Sequence, residues 1–99
     1  MSIKILKLTN GDDVISEINP SENGKINLKN PAKIVTFPTE EGSIGMIILP
    51  WIPYSEDKTF TIKEESVIAE VNPSKNVLNE YNERFGSGLV VPDKGIIID

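Results

Sequence analysis

The chain contains no cysteine and no histidine among its 99 residues. Without cysteine it forms no disulfide, no thiolate metal site and no cysteine nucleophile. Without histidine it lacks the commonest general base and the commonest side-chain ligand for transition metals. We therefore expect a reducing, intracellular setting and a cytoplasmic location.

Long apolar runs are also missing from the sequence. No stretch approaches the roughly 20 apolar residues that a transmembrane helix needs. The opening residues, "MSIKILKLTNG", have no apolar h-region and no cleavage site. We therefore expect no signal peptide and no membrane partner.

The sequence has 10 basic and 15 acidic residues, which gives a net charge of −5. Broad, nonspecific binding to duplex nucleic acid depends on clustered Lys and Arg, so the acidic balance argues against it. A small local nucleic-acid site remains compatible with this charge. The hydrophobic content of 38% fits one globular domain with a modest core.

Catalytic constellations are not evident in the sequence. Neighbouring carboxylates occur at Asp12 and Asp13, at Glu40 and Glu41, and at Glu64 and Glu65. Adjacent residues on a strand face opposite sides of the sheet, so such pairs do not converge as an acid and a base. Ser-His pairs, Gly-rich phosphate loops and His-based metal motifs are missing. We predict that the chain is not an enzyme and uses no cofactor and no metal.

Short apolar stretches separated by turn residues predict a mostly β structure. Asn10 and Gly11 join the first two stretches and predict a hairpin with a type I′ turn, in which both residues have positive φ. Pro31 lies inside an apolar stretch and predicts a bulge or an edge position. The predicted strands cover residues 3–8, 14–18, 25–30, 32–37, 44–50, 59–63 and 66–71.

After residue 72, apolar residues no longer recur at every second position, as in a strand, but at the spacing of a helix. Val77, Leu78, Tyr81 and Phe85 fall on one helical stripe. Gly86 is a natural stop after the last turn. Candidate N-cap residues are Asn72 and Ser74.

About 70 residues of short strands and tight turns favour a small closed barrel, because closure removes unpaired strand edges. We predict a single domain with a β-barrel at residues 1–72, a helix at 73–86 and an apolar tail at 87–99. An exposed apolar strand invites aggregation. The tail is therefore expected to add to a sheet edge of its own subunit or of a neighbour.

Two groups of residues carry a family resemblance. They are Leu8, Asn10, Gly11, Val14, Ile26, Asn27 and Leu28 in the first group, and Ile62, Val67 and Ile68 in the second. In order and spacing they resemble the two Sm motifs, over residues 3–71, and they are most similar to the short Sm-like proteins of marine tailed phages. Ser16 stands where the family has a glycine at a strand bend, and Lys63 and Glu64 stand where it has Arg-Gly.

The resemblance implies an all-β fold: an Sm-like, SH3-type small barrel of about five strands, with a C-terminal helix in place of the family's leading helix. It also implies a homo-oligomeric ring of about five to seven subunits. The segments "ILPW" and "VIAEV" would pair between neighbouring subunits. The turns at 21–25 and 63–66 would line the central pore.

The resemblance further implies weak binding of single-stranded RNA at that pore. Asn27 would contact a base edge and Lys25 the backbone, with Lys63 as a secondary contact. Lys25 and Asn27 share one face of their strand. The residues expected at the subunit interface are Trp51, Ile68 and Val71.

An alternative function comes from a different class. The ring would be a phage-encoded structural or adaptor module, working in the host cell cytoplasm through protein–protein assembly and holding no RNA. The two hypotheses differ in their salt response. Binding of RNA through lysines weakens steeply as salt is added, whereas assembly through apolar residues does not.

Overall fold

The computed structural model describes residues 2–85, and the predicted apolar tail at 87–99 lies outside the described residues. The elements in chain order are β1 (Ser2–Leu8), β2 (Asp13–Glu22), β3 (Lys25–Pro38), β4 (Ile44–Pro50), β5 (Thr59–Lys63), β6 (Val67–Val71) and α1 (Lys75–Phe85). A 3-10 turn, Glu64–Ser66, connects β5 to β6. The prediction of a β fold with a C-terminal helix is confirmed.

All six strands form one antiparallel sheet in the order β4-β3-β2-β1-β6, with β5 beside β3. The long β3 pairs with β5 along residues 25–29 and with β4 along residues 32–38. Two short strands thus follow each other along one side of β3, which makes six strands where about five were expected. Pro50 is the last residue of β4 and Pro53 follows in the connecting loop, and proline cannot donate a ladder hydrogen bond.

A bulge divides β3 at the point where its partner changes. The pairing of β2 with β3 shifts register between Ile15 and Glu17, so that β3 carries one extra residue. Asn30 there has φ of 54°, and the carbonyl of Pro31 accepts a hydrogen bond from the backbone N–H of Trp51, at 3.1 Å. The bulge predicted from Pro31 is confirmed. Such a bulge bends its strand and increases the twist.

The first hairpin turn differs from the prediction. Gly11 has φ of +95°, but Asn10 is not in the positive-φ region. The N–H of Gly11 donates to the carbonyl of Leu8, and the N–H of Leu8 donates to the carbonyl of Asp12, both at 2.9 Å. The type I′ turn expected at Asn10 and Gly11 is therefore wrong. The longer loop forms a type I turn followed by a left-handed glycine, for which only the glycine needs positive φ.

Each face of the sheet carries one buried apolar cluster. On one face the cluster is formed by Leu6, Leu8, Val14, Ile26 and Leu28. On the other face α1 covers a cluster of Ile15, Ala32 and Ile48 and contributes Tyr81 to it, while the first residues of β3 on that face stay exposed. Because successive strand residues point to opposite faces, neighbours such as Val14 and Ile15 belong to different clusters.

The helix α1 begins after a side-chain cap. The Oγ of Ser74 accepts a hydrogen bond from the N–H of Val77, at 3.3 Å. Val77 and Phe85 pack against the second cluster around the fully buried Tyr81. The apolar stripe and one of the two candidate caps are therefore confirmed. Within residues 2–85, no helix has the length and hydrophobicity that a bilayer crossing requires.

Candidate nucleic-acid interface

Two turns that are far apart in sequence meet at one end of the sheet. The turn between β2 and β3 has Asn23 and Gly24 at φ of 57° and 77°, the pair of positive values that a type I′ turn needs. The second turn is the 3-10 segment Glu64–Ser66. The N–H of Glu64 donates to the carbonyl of Gly24 at 2.7 Å, which joins the two turns.

Two lysines lie directly opposite each other beside these turns. Lys25 on β3 pairs with Lys63 on β5 in the strand register, and both side chains are exposed. Like charges in this position repel, so the pair is unfavourable until a negative charge lies between them. Lys25 and Lys63 line a shallow depression of about 350 Å³ together with Asn23, Gly24, Glu64 and Glu65. The two glutamates add negative potential to the same depression and weaken its attraction for a phosphate.

Asn27 lies on the same exposed face as Lys25, two residues along β3. Its side-chain oxygen accepts a hydrogen bond from the hydroxyl of Thr61, at 2.9 Å. This bond holds the amide group in one orientation and leaves its NH₂ group as the donor that can face a ligand. Analysis of the sequence missed Thr61, because finding it requires the β3–β5 register that places Asn27 opposite Thr61.

The structure brings together the three predicted RNA-binding residues. Lys25 and Asn27 share the exposed face of β3, and Lys63 stands on the neighbouring strand. Lys29 continues the same face beyond Asn27, opposite Thr59. The result is a polar strip with basic, amide and hydroxyl groups, next to the joined turns. Contact with RNA at these residues stays a prediction.

The side chain of Trp51 contacts core residues of its own chain. Its ring packs against the first core cluster, with its centroid 6.2 Å from that of Phe60. The indole N–H donates to Oδ2 of Asp12 at 3.2 Å, and Nζ of Lys33 is 3.4 Å from Oδ1 of the same carboxylate. The indole hydrogen bond, with the charge of Lys33, holds the pKa of Asp12 below its ordinary value. The predicted role of Trp51 at a subunit interface remains untested.

Apolar side chains are exposed along both open edges of the sheet. Among the described residues, β6 pairs only with β1, and β4 and β5 pair only with β3. Ile68 and Val71 on β6 are 65% and 52% exposed. The exposed apolar residues of the opposite edge are Ile44, Met46, Ile47 and Leu49 on β4. Open edges with apolar side chains are typical surfaces for pairing with another chain.

Metal binding finds no support in the described part of the chain. No group of three or more acidic side chains within residues 2–85 could hold a metal ion.

Comparison with known families gives one match. The family model of the Sm-like domain matches residues 5–82, from β1 into α1. No curated protein sequence is similar enough to the chain to count as a match.

Proposed function

The chain belongs to the Sm-like domain family, and from that premise we propose that identical copies assemble into a ring that binds single-stranded RNA weakly. Proteins with the Sm fold are typically oligomeric and associated with RNA. The proposal concerns two surfaces of this chain. They are the open strand edges and the polar strip at Lys25, Asn27 and Lys63.

The open edges support assembly into a ring. β5 and β6 have five residues each and lie on opposite edges of the sheet. Pairing of β6, which contains "VIAEV", with the opposite edge of the next subunit, at "ILPW" where β4 ends, would be a head-to-tail contact. Such contacts close into a ring when the rotation from one subunit to the next is a whole fraction of a full turn. About five to seven subunits would complete the ring. The contact would also bury Ile68 and Val71.

The pairing of Lys25 with Lys63 is the observation that carries the RNA-binding part of the proposal. Two positive charges held side by side are stabilised by a phosphate between them. A ring would repeat this pair in every subunit, and simultaneous contacts along one strand raise the overall affinity. Lysine lacks the planar fork of arginine, so each single contact is weak.

Two glutamates favour the alternative function. Glu64 and Glu65 line the same depression as the two lysines, and the whole chain carries a net charge of −5. If they cancel the attraction for phosphate, the ring is a structural or adaptor module that acts through protein assembly. In this alternative the module is phage-encoded and acts in the host cell cytoplasm. Under either function we expect a cytoplasmic protein without catalysis.

Fluorescence anisotropy with a labelled oligo-U strand tests the proposal, after light scattering has given the mass of the oligomer. We expect binding at low salt whose logarithmic salt slope reflects at least two phosphate contacts, about 0.7 for each contact. A variant with Lys25→Ala and Lys63→Ala should lose this binding. The matched control, Lys58→Ala with Lys75→Ala, removes the same charge from exposed positions outside the strip and should keep it.

Two results would contradict parts of the proposal separately. An intact ring that fails to bind oligo-U at low salt would support the adaptor function and reject RNA binding. A monomer in light scattering would reject the ring itself.

A further inference from the structure

A groove of about 530 Å³ opens on a different part of the molecule, between the bulge of β3, the end of β4, the loop at residues 51–58 and the end of α1. We call it the α1 groove. Its apolar lining includes Pro31, Pro50, Trp51, Phe60 and Phe85. Glu56, Asp57 and Lys58 from the loop add charged groups to the lining. None of the residues proposed to contact RNA lines it.

The chain itself leads into this groove. Phe85 is the last residue of α1 and also lines the groove. The next three residues of the sequence are Gly86, Ser87 and Gly88, a composition that allows the backbone to reverse direction. Leu89 follows Phe85 by four positions, so the two Cα atoms are at most about 14 Å apart, which leaves the groove within reach of the segment.

That following segment is apolar. Residues 89–91 read "LVV" and are followed by Pro92. Transfer of three consecutive aliphatic side chains from water into an apolar recess lowers their free energy. The second apolar run, residues 96–98, begins seven positions further along the chain. Its reach from Phe85 is up to about 35 Å, so the α1 groove does not restrict its position.

We propose that residues 89–91 of the same subunit dock in the α1 groove and cover Trp51 and Phe60. The groove has apolar residues in its lining and lies where α1 ends. Three residues of the sequence, Gly86, Ser87 and Gly88, separate α1 from three consecutive aliphatic residues. Docking there would also hold the end of α1 against the sheet. This intramolecular contact does not depend on a ring or on RNA.

Trp51 is the only tryptophan of the chain, so its fluorescence reports directly on the groove. The test variant is the full chain with L89S, V90S and V91S. We expect its Trp51 emission to shift to longer wavelength and its quenching by acrylamide to increase, because water would enter the groove. The matched control, with I96S, I97S and I98S, should keep the emission and quenching of the natural chain.

A conservative variant separates loss of docking from a general loss of structure. The variant with L89I, V90I and V91I keeps aliphatic side chains and should retain the natural Trp51 emission. Unchanged emission in the serine variant of residues 89–91, or equal changes in both serine variants, would overturn the proposal.

Mixed oligomers show which subunit supplies the segment. The serine variant of residues 89–91, which retains Trp51, is refolded together with an excess of a full chain carrying W51F and an intact segment. If each subunit fills its own groove, Trp51 stays accessible to acrylamide in the mixture. Protection of Trp51 by the W51F chains would assign the segment to a neighbour and overturn the own-chain contact.

Discussion

The hydroxyl of Tyr81 donates a hydrogen bond to the backbone carbonyl of Asn30 at 2.8 Å, across 51 positions of sequence. Asn30 belongs to the bulge of β3, where the ladder to β2 is interrupted. Burial, together with the nearby charge of Glu17, raises the pKa of Tyr81. The hydroxyl therefore keeps its proton at all physiological pH values and remains a donor.

The hydroxyl of Ser16, on the neighbouring strand β2, also contacts the backbone beside this bulge. Oγ of Ser16 is fully buried and lies 3.0 Å from the carbonyl oxygen of Lys29 and 2.9 Å from that of Glu17. The hydroxyl of Tyr81 lies 3.3 Å from the same Lys29 oxygen. Ser16 stands where the family pattern has a glycine, and here its hydroxyl contacts two backbone carbonyls beside the bulge.

Removing these hydroxyls should destabilise the fold in a coupled way. Tyr81→Phe and Ser16→Ala should each lower the free energy of unfolding by about 1 kcal/mol. The double variant should lose more than the sum, because the carbonyl of Lys29 then has neither hydroxyl as a donor. Urea unfolding at one fixed protein concentration measures all four chains.

Tyr54→Phe provides the control for this cycle. Tyr54 is 93% exposed, so removal of its hydroxyl should change the free energy of unfolding by less than about 0.5 kcal/mol. Strictly additive losses in the double variant would show that the two hydroxyls do not share an acceptor.

Local sequence patterns predicted the elements but not the contacts between them. The helical stripe placed Tyr81 on the buried side of α1, and Pro31 marked the bulge, because both signals are contained within a few residues. The bond from Tyr81 to Asn30 and that from Trp51 to Asp12 join positions 51 and 39 residues apart. They depend on strand register and tertiary packing, which periodicity does not encode.

The two Asn-Gly pairs show the same limit on a smaller scale. Asn23 and Gly24 form the type I′ turn that this dipeptide favours, whereas Asn10 and Gly11 form a different turn. The N–H of Asp12 donates to the side-chain oxygen of Asn10 at 2.9 Å, so a neighbour outside the dipeptide helps to fix the loop. The dipeptide at Asn10 and Gly11 correctly predicted a hairpin, but the surrounding hydrogen bonds decided its turn type.

Acid should weaken the contact between Asp12 and Trp51. The pKa of Asp12 in the folded protein is lowered from 3.8, so its stabilising effect is present above that value. The effect is lost as the pH falls through the lower folded pKa. We expect Asp12→Asn to be less stable than the natural chain at about pH 6, and this difference to shrink at about pH 3.

Unfolding curves at several pH values measure this difference. Asp57→Asn is the control, because Asp57 is an exposed residue of the 51–58 loop and the indole N–H of Trp51 donates to Asp12. The difference in free energy of unfolding between Asp57→Asn and the natural chain should not shrink as the pH falls. A constant difference between Asp12→Asn and the natural chain over the whole pH range would contradict the linkage.

A charge on the β6 edge should break the oligomer without unfolding the subunit. Ile68 is 65% exposed in the subunit, so Ile68→Lys leaves the core intact. In the ring, the substitution would place a charge in the apolar contact. It would also remove the burial of the Ile68 side chain, which stabilises each interface by about 1.5–3 kcal/mol. Light scattering should give a lower mass, with an unchanged far-UV circular dichroism spectrum.

Tyr54→Lys is the matched control for the edge variant, because it places the same charge on an exposed apolar residue of the 51–58 loop. It should keep the mass of the natural oligomer. If Ile68→Lys also keeps that mass, the β6 edge is not the assembly surface.

Neutralising one glutamate beside the lysine pair should strengthen RNA binding. Glu65 lines the depression with Lys25 and Lys63, and its charge repels a phosphate there. Because the depression is open to solvent and screened by salt, Glu65→Gln should raise the affinity for oligo-U by about two-fold at low salt. The gain should fade as salt is added. Glu83→Gln removes the same charge from the exposed side of α1 and should give a smaller gain in the anisotropy titration. Equal gains from both variants would show that net charge, and not the depression, governs the binding.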